Sequence, residues 1–146
     1  MAYSNILVPV KGLPADEAAI RLACQIAKLT KARVVAIHVI EVQRNLPLDA
    51  ENEMQMQRAE MLLDRAEQVA RTVHGTLETD LLQARAAGVA LVDEAVARRA
   101  DLIVMGIPYR NPLGDFQLGT TTLYLLKNAP CPVWLCREAM PPEKAA

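Results

Sequence analysis

The sequence has few aromatic residues: Phe, Trp and Tyr together make up 3% of it. A core with so few rings must be built from Ala, Val, Ile and Leu. That suits helices packed on a buried sheet better than an all-β sandwich. Excess charge is also lacking, since 16 Lys and Arg face 17 Asp and Glu for a net charge of −1. Without clustered basic residues, no nucleic-acid partner and no anionic membrane surface is expected. No apolar run approaches the roughly 20 residues that a transmembrane helix needs. The segment Met1-Ala2-Tyr3-Ser4-Asn5 has no basic stretch before its first apolar run, so a signal peptide is not expected and a cytoplasmic location is. The cysteines are Cys24, Cys131 and Cys136, an odd number with two in apolar segments, which reads as reduced thiols. Cys131 and Cys136 lie five apart and are expected on opposite faces of a strand, so neither a shared metal nor an intrastrand disulfide is expected of them. Signatures of catalysis are missing as well: no G-x-S-x-G elbow, no Walker lysine after a glycine loop, no H-E-x-x-H. No enzyme, no catalytic residue and no metal site is therefore expected.

What is present alternates. Ile6 to Val10 is apolar without a polar partner face, as in a strand buried on both sides. Pro14, Asp16 and Glu17 suit the start of a helix, with both acids at its positive end. Ala18, Ala19, Leu22, Ala23, Ile26 and Ala27 continue it at helical spacing. A β-branched strand covers Arg33 to Ile40, in which His38 reads as a satisfied core or edge histidine. A long helix spans roughly Glu51 to His74, its stripe formed by Ala59, Leu62, Leu63, Ala66, Val69, Ala70 and Val73 and extended by Met54 and Met56, with Met61 read as packing too. Thr76 to Leu82 alternates like a strand near the sheet edge. A helix from Gly88 to Arg99 is expected to turn Val92, Ala95 and Val96 inward. A strand follows over Leu102 to Met105, then a helix over Thr120 to Asn128 carrying Leu123 and Leu126, then a strand from Val133. Strands alternating with helices predict an α/β fold: an open parallel sheet covered on both faces. A single domain is expected, with its core over about residues 3–137 and a flexible tail over 138–146.

In such a sheet, ligands bind beyond the carboxyl ends of the strands. The loop from Val104 to Thr122 leaves one of those ends at Gly106 and closes at Gly119-Thr120-Thr121-Thr122, directly before a helix. Unpaired N–H groups and the positive end of the dipole make such a place suitable for an anion. The same glycines and threonines also fit a plain turn and N-cap.

These residues resemble the universal stress protein family. Asn5-Ile6-Leu7-Val8-Pro9-Val10-Lys11-Gly12 is similar to the family's opening strand, His38-Val39-Ile40 to the end of its second, Asp101-Leu102-Ile103-Val104-Met105-Gly106 to its fourth and Ala129-Pro130-Cys131-Pro132-Val133 to its fifth. The resemblance implies five parallel strands in the order 3-2-1-4-5, a Rossmann-like sheet. It implies a site for ATP or another adenine nucleotide at Pro9, Lys11, Val39, Met105, Gly106, Tyr109, Gly119, Thr120, Thr121 and Thr122. It further implies a homodimer paired through the last strand, Val133, Trp134, Leu135, Cys136 and Arg137, and a role in stress response through a regulatory partner.

Two positions depart from the nucleotide-binding pattern of Gly, two residues, Gly, nine residues, Gly, then Ser or Thr. Gly106, Gly119 and Thr120 match it, but Tyr109 stands at the second glycine. Lys11 stands where those members carry an acid. A lysine has donors only, so it cannot accept from adenine or ribose, although it can attract an anion. The ring of Tyr109 and the rigid Pro108 and Pro112 are expected to reshape the loop. The loop thus reads as a degenerate nucleotide- or anion-binding site. The alternative is a member that binds no nucleotide and acts through dimer and partner contacts.

Overall fold

A computed structural model of the chain describes residues 3–110 and 113–142. The stiffening expected of Pro112, the end of the tail at 143–146, and Met1 and Ala2 lie outside those residues. The elements alternate in sequence: β1 (Asn5–Pro9), α1 (Ala15–Thr30), β2 (Arg33–Glu41), α2 (Glu53–Thr72), β3 (Glu78–Ala84), α3 (Ala87–Ala97), β4 (Leu102–Ile107), α4 (Thr120–Asn128) and β5 (Val133–Arg137). All pairings are parallel, and the sheet order is β3-β2-β1-β4-β5.

The period of two along each strand divides the core. Ile6, Val8, Val34, Ala36, Leu102 and Val104 point to one face, where they meet Ala19, Ile20 and Ala23 of α1 and Leu63, Ala66 and Val69 of α2. Leu7, Val35, Ile37, Ile103 and Met105 point to the other, against Leu91 and Ala95 of α3 and Leu125 of α4. Side chains such as Leu7 and Ile103 are wholly buried, and each contributes about 1.5–3 kcal/mol by leaving water. Cys136 packs on the first face and Cys131 on the second, but Cys131 lies in the bend before β5 and not on the strand as expected, because the strand starts only after Pro132.

The helix faces depart in detail from the sequence reading. In α1, Ile20 and Cys24 are buried, while Leu22 and Ile26 are only partly so. In α3, Val96 faces solvent and Leu91 takes the inward place. In α4, Leu123 and Leu126 are exposed, while Thr122 and Leu125 are buried. Met54 and Met61 of α2 are exposed rather than packed. The strands also shift. β3 lies two residues later than expected, fixed by its register with β2 from Val35↔Glu78 to Glu41↔Ala84. β4 runs on through Gly106 to Ile107, because both pair with β5.

One polar contact sets the turn between β1 and α1. Asp16 retains only 7% of its surface exposed. Its Oδ2 accepts the backbone N–H groups of Lys11 (3.0 Å), Gly12 (2.7 Å) and Leu13 (3.1 Å). Gly12 turns the chain at φ 86°, in the left-handed region that glycine favours. Burial raises the Asp16 carboxyl above its ordinary value, and the three amides and Lys11 pull it partly back. A folded-state value above the unfolded one means that this group stabilises fully at pH below its ordinary range, and that the contribution is lost as pH rises through the raised value.

Asp16→Ala should lower the free energy of unfolding by about 1–3 kcal/mol at neutral pH, because it leaves three amides without their acceptor. Asp16→Asn keeps an acceptor and should stay near wild type. Urea unfolding of all three proteins near pH 4 and pH 7 checks this, with wild type losing ground to Asp16→Asn as pH rises.

Candidate functional site

The carboxyl ends of β1, β2 and β4 lie side by side, as the strand order requires. Four of the ten expected site residues line one hollow there. Pro9 and Lys11 come from the end of β1, Val39 from β2 and Thr121 from the first turn of α4, with Ala87 and Leu91 of α3 closing the side. The hollow measures only about 40 Å³, against the roughly 300–1,000 Å³ typical of sites for organic ligands.

The other six are placed differently. Met105 is buried in the core on the α3/α4 side, where the hydroxyl of Thr122 donates to its sulfur at 3.5 Å. Gly106 is also buried, and a Cβ built on it would lie 2.1 Å from the carbonyl oxygen of Ala15. Its missing side chain therefore lets the first turn of α1 rest on β4. This is a packing role rather than the close approach to a phosphate suggested by the loop. Tyr109 is half-buried, its backbone N–H donates to Glu138 Oε1 at 3.3 Å, and the Arg110 guanidinium stands 5.1 Å from its ring centroid. Gly119 is the N-cap of α4, with an extended backbone (φ −71°, ψ 167°) and no heavy atom within 4 Å of where a Cβ would sit. Gly119 and Thr120 are both exposed. The end of the loop is thus open, while its beginning is part of the core.

Lys11 is exposed but stands over a crowded concave floor. Lost hydration lowers its pKa from the ordinary lysine value, against the pull of Asp16 and Glu41. Both of those carboxylates are already in use. Asp16 holds the turn amides, and Glu41 Oε2 accepts the N–H of Ala87 at 2.9 Å, at the start of α3. Position 11 itself supplies no acceptor, and the two nearby carboxylates each use one oxygen on backbone amides. The edge offers a cation and a hydroxyl, a combination that suits an anion more than a nucleoside. His38 is satisfied as expected: its Nδ1 lies 2.8 Å from the Val10 carbonyl oxygen, so Nδ1 carries the proton.

The sequence reading treated Asp16 only as an acid near a helix dipole. An acid two residues into a helix that follows a glycine turn was the available sign that it reaches back to the turn amides, as in a capping box. The contributions of Ala87 and Leu91 had no local sign, because only the βαβ crossover brings α3 there. Gly106→Ala should cost about 3 kcal/mol through overpacking against backbone, and Gly119→Ala less than about 1 kcal/mol. Denaturant midpoints of the two variants check the contrast.

Among proteins of known type, this chain is 30% identical over 142 residues to a universal stress protein of Methanocaldococcus jannaschii, spanning 93% of this chain and 83% of that one. The solved UspA of Lactobacillus plantarum superposes with a TM-score of 0.74 at 27% identity, covering 94% of this chain and 99% of that one. An Archaeoglobus fulgidus universal stress protein solved in complex with dAMP gives a TM-score of 0.74 at 21% identity, over 92% and 98% of the two chains. The sequence pattern of the universal stress protein family matches residues 2–137, and the chain belongs to that family.

Proposed function

We propose that this chain is a non-catalytic regulatory member of its family whose nucleotide site has kept its anion end and lost its nucleoside end. The observation that carries this reading is the shared hollow of Pro9, Lys11, Val39 and Thr121. It encloses only about 40 Å³, and each carboxylate near Lys11 engages backbone amides through one oxygen. The relative with bound dAMP supports descent from a nucleotide-binding ancestor. In this chain the first turn of α4 and Lys11 serve a small anion in place of ATP. No helix among the described residues is long and apolar enough to cross a membrane, and the protein acts in the cytoplasm on a regulatory partner.

Dimer formation through β5 belongs to the same reading. The two edges of the sheet are treated differently. Beside the β3 edge, Gln83 of β3 donates to the carbonyl groups of Leu48 (3.0 Å) and Ala50 (2.8 Å) in the connection from β2 to α2. β5 pairs only with β4 among the described residues, and its Trp134 is 39% exposed beside Tyr3. An open edge of this kind invites a second strand, and a second copy's β5 across a two-fold axis closes it.

Calorimetric titration should show no saturable ATP binding tighter than about 1 mM for wild type, and measurable binding for Lys11→Asp combined with Tyr109→Gly. Micromolar ATP binding by wild type would overturn the reading. Light scattering should give a dimer mass at high micromolar concentration, and a monomer there would remove β5 as the seam.

A further inference from the structure

A cavity of about 600 Å³ lies on the other side of the sheet, between α1 and α2. That is the size of a small-molecule site. Its floor is aliphatic: Val10, Ile20, Leu62, Ala66 and Val69. Its charged groups divide into those already engaged and those still available. Glu17 binds Arg65 at 3.2 Å and Arg21 at 3.4 Å, and Asp16 holds three turn amides through one oxygen. Arg58 lines the cavity yet makes no salt bridge among the described residues. Lys11 also lines it and forms no salt bridge there.

The lining residues include no Phe, Tyr or Trp, and the imidazole of His38 is held by the Val10 carbonyl. The polar groups outside ion pairs include the cations Lys11 and Arg58, and much of the remaining wall is aliphatic. These features favour a flexible apolar body with one anionic head. We propose that this cavity binds an aliphatic chain with a single anionic head. Lys11 and Arg58 take the head, and Ile20, Leu62, Ala66 and Val69 take the chain. Carboxylates and phosphate monoesters share that head chemistry. The site is separate from the hollow on the α3/α4 side, and only the Lys11 and His38 neighbourhood touches both.

Methyl-labelled protein titrated with decanoate, decyl phosphate and decanol, each below its micelle concentration, tests the proposal by NMR. Saturable shifts are expected at the Ile20, Leu62 and Val69 methyl groups with one or both anions, and the stronger of the two identifies the head. Arg58→Ala should weaken that binding about tenfold or more, and decanol should bind wild type as weakly. Leu62→Trp fills the cavity and should abolish binding. If that variant does not fold, the exposed Arg58→Ala decides alone. Unshifted methyl groups, equal affinity in Arg58→Ala, or equal affinity for decanol would each overturn the proposal. So would stronger shifts of these methyl groups by ATP than by the aliphatic anions. Because ATP binding is read on the other face of the sheet, failure here leaves the nucleotide reading standing, and the reverse is also true.

Discussion

The N-terminus of α1 is pinned at two points, and the arrangement of the sheet edge follows from that. Asp16 reaches back and gathers the amides of Lys11, Gly12 and Leu13. One residue earlier, Ala15 rests on the bare backbone of Gly106 in β4. Neither contact works with a larger or apolar substitute. A side chain on Gly106 would push the helix away, and losing the carboxylate would leave three buried-side donors unmatched. Together they hold the turn after β1 in one conformation, and that conformation sets Lys11 at the carboxyl edge between β1 and β2.

Electrostatics at the edge then follow. Among the described residues the carboxylates acting on Lys11 are Asp16 and Glu41, and each holds a helix start through one oxygen: Asp16 the turn into α1, Glu41 the first amide of α3. The charge they supply steadies the ammonium, and in each case one carboxylate oxygen is engaged by backbone amides. The loop from β4 to α4 divides the same way. Met105 and Gly106 belong to the core, and Gly119 and Thr120 face water. The chain thus carries the spacing of Gly106 and Gly119-Thr120 with Lys11 and Tyr109 at the two departing positions.

Much of the fold was legible in the sequence because its signals are local. Unbroken apolar runs at β1, β2 and β4 mark strands buried on both faces, and Gly and Pro separate the elements. Helix faces were harder to read. α1 and α3 are rich in Ala and Val, so several rotations bury similar apolar surface, and only packing against the sheet chooses Ile20 over Leu22 or Leu91 over Val96. At the site, the family resemblance named Pro9, Lys11, Val39 and Thr121, and the fold lines one hollow with all four. Spacing could not show that Gly106 is a glycine for the sake of Ala15, since that contact joins residues about 90 positions apart. Nor could it show that a roomy cavity opens beneath α2, on the face away from the motif.

The central claim is that the edge at Lys11 and Thr121 recognises an anion and not a nucleoside. Amide chemical shifts, followed while the protein is titrated separately with inorganic phosphate and with adenosine, test it most directly. Phosphate should move the amides of Lys11 and of residues 119–122, while adenosine leaves Val39 and its neighbours still. Saturable shifts at Val39 and Lys11 with adenosine, and none with phosphate, would contradict it.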